Sequence, residues 1–383
     1  MSNMVITDFC TGCRTCEQLC SHAAIKVLPD KEGFLAPVID DTKCVGCNLC
    51  ITRCPQNHTS LINAIGEAYA IRLKDDAALK RSASGGAFWG FAEKVVSDGG
   101  LVVGVTYDES WNALYKITDE LGGIQEMQNS KYLQADTNNV YRKIKHELQS
   151  GKRVLFSGTS CHVAGLKAFL NKDYDNLITI DIICHGVTSP LMFKKYIKWL
   201  EEKMHSKILS YSFRSKNKGW GSISTYKVLG KEITAPYYVD PYYRVFMEGY
   251  AFRECCYRCK YTSLERISDI TIGDYWGIQE EHPSFYSSKG VSAILLNTEK
   301  GRLFFDTVKD QFDLQKSEPN KVANHNINLM RPTQRNAAIR DCFYDGIQTD
   351  VHWFENVAKR YKPSMARKIK ARIPSWLRVL LKK

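Results

Sequence analysis

Cys10-x2-Cys13-x2-Cys16-x3-Cys20 is followed by Cys44-x2-Cys47-x2-Cys50-x3-Cys54, one run written twice. This spacing suits a cubane 4Fe–4S cluster. Such a cluster offers four irons at tetrahedral corners, and a tight loop with a thiolate at every third residue wraps three of them. The fourth cysteine, expected at the start of the next helix, is turned away and reaches the other cluster. Cys10, Cys13, Cys16 and Cys54 are therefore assigned to a first cluster, and Cys44, Cys47, Cys50 and Cys20 to a second. Each cluster carries one electron, so the chemistry is electron transfer. Structural zinc and disulfides are the alternatives. Zinc sites take four ligands usually grouped as two pairs, which fits these runs poorly.

The elements around the runs agree. Gly12 and Gly46 lie between the first two thiols of each run, where a tight loop favours a residue without Cβ. Pro55 follows the last thiol of the second run, and Ser21 stands at the equivalent place in the first. Between the runs, residues 25–27 and 34–39 form two expected strands joined by a turn at Lys31-Glu32-Gly33. Two strands between two cluster loops make the α+β arrangement of a bacterial two-cluster ferredoxin, expected over residues 1–58.

From Ala68 to about Phe343 strands and helices alternate, which argues for an α/β domain, in two parts at 59–150 and 151–345. Strands are expected over 68–72, 101–105, 153–157, 177–183, 223–228 and 293–296. Helices are expected over 87–97, 140–148, 163–170 and 190–204. Cys161 lies just after one strand and Cys184 at the end of another, each expected immediately before a helix. Strand C-termini of an open α/β sheet face one crevice where ligands bind, so two such thiols can share a site. Cys256-x2-Cys259 adds a chelating pair with Cys255 beside it. Cys161, Cys184, Cys256 and Cys259 would complete a third cluster. A zinc site, or thiols buried as small hydrophobes, are the alternatives. Cys342 is isolated and is expected to be a core thiol.

Five stretches carry a family resemblance: Ser82-Ala83-Ser84-Gly85-Gly86, Gly158-Thr159-Ser160-Cys161-His162-Val163-Ala164-Gly165-Leu166, Cys184-His185-Gly186-Val187, Cys256-Tyr257-Arg258-Cys259-Lys260 and Asp269-Ile270-Thr271-Ile272-Gly273-Asp274-Tyr275-Trp276-Gly277. In these the sequence resembles the coenzyme F-420 hydrogenase/dehydrogenase beta-subunit family, in the form with an N-terminal two-cluster ferredoxin domain. The family usually has Pro-Cys-Gln where this chain has Ser160-Cys161-His162. The resemblance implies an iron–sulfur flavoprotein oxidoreductase with FAD and one core cluster, exchanging electrons between a hydride carrier and cluster relays. It implies Cys161, Cys184, Cys256 and Cys259 as core-cluster ligands. It implies Ser84, Gly85 and Gly86 as a flavin-phosphate loop, and Asp274 and Trp276 as lining of the flavin site. Free N–H groups at a helix start attract anions; a plain helix cap, a turn Asp and a structural Trp are the alternatives. Bacterial relatives lacking the deazaflavin often accompany surface-polysaccharide genes, which implies a carbohydrate-pathway role.

Composition excludes other classes. With 383 residues, 44% hydrophobic and 25% charged, the chain is neither disordered nor fibrous. Its net charge of +12 is local: ten Lys or Arg and no Asp or Glu follow Asn356, so no nucleic-acid-binding face across the protein is indicated. No G-x-G-x-x-G and no Walker A run occurs, so a Rossmann NAD site is unsupported. There is no secretory pattern at Met1–Phe9 and no run of 18 apolar residues, so a cytoplasmic chain with metal-bound thiols is expected. The basic tail, residues 346–383, has Pro363 and Pro374 bracketing a helix over 364–373, and Trp376 beyond it. It resembles a peripheral membrane anchor at the inner face. The alternative is a basic helix docked on the chain's own acidic surface. The expected partners are a redox protein or small electron carrier and an unidentified organic substrate. Two further readings stay open: a non-catalytic electron-transfer subunit of a larger complex, and an iron–sulfur redox sensor.

Overall fold

A computed structural model describes residues 9–57, 62–365 and 367. Most of the expected helix over 364–373, and the part of the basic tail beyond it, lie outside the described residues.

The twin thiol runs fold alike. In each a left-handed glycine, Gly12 (φ 71°) or Gly46 (φ 70°), and then a left-handed Arg14 (φ 59°) or Asn48 (φ 57°), turn the chain into a short helix. These helices are α1 (Thr15–Leu19) and α2 (Leu49–Thr52). A Cβ at Gly12 would stand 2.5 Å from the Leu35 carbonyl oxygen, so the loop needs glycine there twice over. Between the runs, β1 (Ile25–Pro29) pairs antiparallel with β2 (Leu35–Ile39), Ile25 opposite Ile39. The Asp30 carboxylate closes this hairpin by accepting from the amides of Glu32 and Phe34. That turn delivers Phe34, 1% exposed, into the core of the following domain, where its ring meets Tyr344 edge-on at 5.6 Å.

The second domain begins with β3 (Glu67–Leu73), α3 (Asp76–Arg81), α4 (Ala87–Ser97), β4 (Leu101–Tyr107), β5 (Ala113–Thr118) and α5 (Leu121–Met127). It continues with α6 (Val140–Gln149), β6 (Val154–Thr159), α7 (Ser160–Leu170), β7 (Leu177–Ile182) and α8 (Pro190–Met204). A small antiparallel sheet follows, of β8 (Ser210–Ser212), β9 (Ile223–Val228) and β10 (Lys231–Pro236). The chain returns through α9 (Pro241–Met247), β11 (Ile270–Asp274), α10 (Ile278–Glu281), β12 (Ser292–Leu296), α11 (Glu299–Asp306) and β13 (Phe312–Ser317).

The large sheet has the order β13-β3-β12-β11-β7-β6-β4-β5. Its centre, β11-β7-β6-β4, is parallel, and the outer pairings are antiparallel. This is an α/β domain with a mixed sheet. Strands covered on both faces read as continuous apolar runs, and Val154-Leu155-Phe156 is one. Val154 and Phe156 share a core with Tyr141, Val163 and Phe193 of α6, α7 and α8, while Leu155 shares the opposite core with Phe91 of α4 and Phe304 of α11.

Several local expectations are corrected. Cys20 caps the C-terminus of α1 and Cys54 follows α2, so the fourth thiol comes as a one-turn helix ends, not as the next begins. Cys161 sits inside the first turn of α7, and a loop separates Cys184 from α8. Cys342 is exposed, on a helical turn beside the Ala338 and Ile339 carbonyls, and is no core thiol. The packed chain also runs past residue 346: Ile347, Trp353 and Phe354 are buried, and a helix over Trp353–Arg360 packs on α8 and α9. No described helix is long and apolar enough to cross a membrane.

Candidate functional site

The N-terminal thiols fall into two sets. Cys54 is an electrostatic neighbour of Cys10, Cys13 and Cys16, while Cys20, Cys44, Cys47 and Cys50 line one small cavity. Each triplet thus has the fourth thiol of the other run beside it, and Cys16 borders the second set's cavity as well. Burial pushes the Cys10, Cys13 and Cys16 thiols above their ordinary range. Thiols so placed ionise when a cationic centre draws off the proton, as iron does. Among the described residues no three His, Cys, Asp or Glu side chains converge on a single metal ion. A cubane asks for a looser set, because each of its four irons takes one thiolate.

The second site lies along one edge of the large sheet. The parallel strands β6, β7 and β11 are adjacent, with Thr159 opposite Ile182 and Ile182 opposite Ile272. Their C-termini lead directly to Cys161, Cys184 and Trp276. Cys256 and Cys259 come from a turn over Glu254–Arg258. The Arg253 amide donates to the Val187 carbonyl at 3.0 Å, which clips this turn to the loop after Cys184. All four thiols line one cavity of about 490 Å³. Burial pushes Cys184 up to about 12, and Cys161 well above its usual range.

The two sites touch. Cys255, 7% exposed, is an electrostatic neighbour of Cys10 on one side and of Cys161, Cys184 and Cys259 on the other. Lys260 lies between Cys54 and Cys259 and donates to the Pro55 carbonyl. Gly165 of α7 packs on the Cys13 side chain, and its carbonyl accepts from the Thr15 hydroxyl at 2.9 Å.

Ser84, Gly86, Asp274 and Trp276 line the same cavity as the four thiols. Gly85 does not. It packs between the Ile71 carbonyl and the Ser292 amide, each 2.3 Å from where its Cβ would stand. Ser84 donates to the Val291 carbonyl, so the loop is laid against the start of β12. Gly86, left-handed at φ 84°, is the N-cap of α4. Both Asp274 carboxylate oxygens are held by Arg214, at 2.6 and 2.7 Å, and one also accepts from the Trp220 indole N–H at 2.6 Å. Trp220 stacks on Trp276 with centroids 5.1 Å apart, and the Arg214 guanidinium lies over Trp276 at 5.2 Å.

Sequence reasoning missed the groups that brace this edge. Arg266, 2% exposed, donates to Asp181, to the Ser160 hydroxyl and to the Tyr261 carbonyl, tying β7, α7 and the Cys259 loop together. Its signal was an acid, Asp181, inside an apolar strand. His162 lies behind Cys161 with Nδ1 at 2.9 Å from the Tyr115 hydroxyl, and burial draws its pKa down to about 4, so its ring is neutral. Arg214 and Arg253 carry no motif that would single them out.

Fold and thiol sets together define a class: an iron–sulfur protein with a two-cluster unit docked on an α/β domain. Residues 9–58 match the 4Fe-4S dicluster domain, and residues 151–322 match the family described as the C terminus of the coenzyme F420 hydrogenase/dehydrogenase beta subunit. Over that stretch the chain is similar to an oxidoreductase family, and it carries the dicluster domain in front. No curated protein matches it. Among solved structures, a chain from the xenon-derivatized F420-reducing NiFe hydrogenase complex of Methanosarcina barkeri is similar, with a TM-score of 0.44 and 14% identity, covering 69% of this chain and 91% of that one.

Proposed function

We propose that this chain is an iron–sulfur flavoprotein oxidoreductase. In this reading it passes electrons between two ferredoxin-type clusters, a third cluster on Cys161, Cys184, Cys256 and Cys259, and FAD. An organic substrate or a deazaflavin-like carrier completes the exchange. The observation that supports it is the shared cavity: the four thiols and Ser84, Gly86, Asp274 and Trp276 line one space of about 490 Å³. Ligand pockets run from roughly 300 to 1,000 Å³.

FAD, when bound, takes a hydride as two electrons and releases them singly. The chain's own residues hold it. Past Gly86, the first amides of the 11-residue helix α4 have no partner within the helix and face an anion such as a flavin phosphate. Gly85 lets that loop lie flat on the sheet. Trp276 gives a planar apolar wall, fixed by Arg214 and Trp220, and Asp274 neutralises Arg214 so that no lone cation is buried there.

The thiol sets run in order from the cavity outward: the core four, then Cys10, Cys13, Cys16 and Cys54, then Cys20, Cys44, Cys47 and Cys50. Around the outermost set Cys47 is exposed, with Val45 62% and Leu49 37% exposed. A redox partner protein or small carrier meets the chain there.

The test is the iron, sulfide and flavin content of protein purified anaerobically. About twelve irons and one flavin are expected from three four-iron clusters. About eight irons and no flavin on denaturation would reduce the chain to its dicluster unit and end this reading.

A further inference from the structure

Four arginines are buried in the described chain, and three of them face a carboxylate: Arg214 faces Asp274, Arg266 faces Asp181 and Arg340 faces Glu32. The fourth, Arg253, is 7% exposed and has no carboxylate in direct ion-pair contact among the described residues; Asp30 acts on it from further off, behind Cys10 and Cys255. A buried cation without a directly paired carboxylate is costly, so other groups must help to balance it. Its head group donates from Nε to the Cys10 carbonyl at 2.6 Å and from Nη1 to the Leu35 carbonyl at 2.9 Å, both in the dicluster unit. Its backbone belongs to the other site. The Arg253 amide donates to Val187, just past Cys184, and its carbonyl accepts from the Cys256 amide at 2.9 Å. One residue therefore spans the first thiol set and the core set. It also lines the central cavity.

We infer that Arg253 is the counter-charge of the junction between the first cluster and the core cluster, holding both at raised reduction potentials. This rests on the three-cluster reading above. Each cluster gains one negative charge when reduced, and a fixed positive charge beside it favours that state. In the step itself one electron leaves the first cluster and arrives on the core cluster, or the reverse. No bond breaks and no proton moves, because a guanidinium stays protonated throughout. The Arg253 charge serves both stations, so the electron is stabilised on either side of the gap. The outermost set, Cys20, Cys44, Cys47 and Cys50, is not among the groups acting most strongly on Arg253, which are Cys10 and Cys255, then Asp30 and Cys256. Arg253 is a positioning and electrostatic residue.

The test is an EPR-monitored redox titration of the anaerobically reconstituted full chain, poised with dithionite and mediators. Wild type, Arg253→Gln and Arg253→Lys are compared. The Gln variant is expected to lower the equilibrium constant for reducing the two inner clusters about tenfold, which is about 59 mV for one electron. The outer cluster stays put as an internal reference. The Lys variant keeps the charge and loses the fork, so its inner potentials stay near wild type. Unmoved inner potentials in a Gln variant with full iron overturn the inference. Should the Gln variant lose iron, the Lys variant decides: wild-type potentials support the inference, and a tenfold fall overturns it. Fewer than three clusters in the wild type overturns the three-cluster reading and this inference together. Three clusters with unmoved potentials overturn this inference alone.

Discussion

Asp181 is an acid in the middle of a buried strand, fully enclosed, and Arg266 is its reason for being there. The Arg266 Nη2 reaches it at 2.8 Å while Nη1 holds the Tyr261 carbonyl beyond Cys259 at 2.6 Å. Removing one partner of such a pair strands a buried charge. Asp181→Ala is therefore expected to destabilise the fold by about 3–5 kcal/mol, read as a lowered urea midpoint. If the core thiols hold a cluster as proposed, its iron should go with it, since Arg266 also holds Ser160 beside Cys161. A variant with an unchanged midpoint and full iron would show that the edge is braced some other way. Both residues escaped sequence reasoning for one physical reason. A buried ion pair joins positions 85 residues apart: the acid inside an apolar strand signals that a partner exists, and nothing local says that it is Arg266. Cys342 went wrong at the same scale: an isolated cysteine carries no information about which side of a helical turn it occupies.

The helix α7 is the element that joins the two halves of the site. Its first turn presents Cys161, and one turn later Gly165 lies against the dicluster loop. A Cβ on Gly165 would come within 2.9 Å of the Thr15 and Tyr141 hydroxyls and 3.0 Å of the Cys13 Cβ. Those neighbours are buried and cannot swing away. Gly165→Ala should force α7 off the loop at a cost of about 1–3 kcal/mol. Differential scanning of the holoprotein reads the cost, and the iron content shows whether Cys13 still reaches its cluster. An alanine variant as stable as wild type would mean that the contact gives way freely. The helix itself was legible in the sequence nearly to its ends, because 163–170 follows an apolar strand and a turn. Its contact with Cys13 was not legible, since nothing near Gly165 in the chain refers to residue 13.

In the whole molecule the dicluster unit is plugged into the α/β domain through Phe34. The ring sits at the tip of the β1–β2 hairpin, edge-on to Tyr344, with the Arg253 guanidinium 5.4 Å from its centroid. Phe34→Ala is expected to cost about 3–5 kcal/mol, most of it from a cavity at the domain junction. Hydrogen exchange should then rise on both sides of the junction while the outer cluster, which Phe34 does not support, keeps its iron. Exchange that rises only within the hairpin would show the two units to be held elsewhere.

The sequence by itself determined the eight N-terminal thiols, the two glycines between them, the α/β alternation and the length of most central elements. These are local properties. A thiol at every third residue is a statement about one loop's backbone, and a run such as Val154-Leu155-Phe156 declares its own burial. Tertiary structure alone decided which distant residues share a space. Cys161, Cys184 and Asp274 stand side by side because β6, β7 and β11 are neighbours in the sheet, with β11 inserted beside β7 from far along the chain. The burial of Arg253 without a direct ion pair, the ion pair beneath the core thiols and the Phe34 plug follow from that strand order and from the docking of one unit on the other. Spacing along the chain does not encode them, because each depends on a contact that exists only once the sheet has closed.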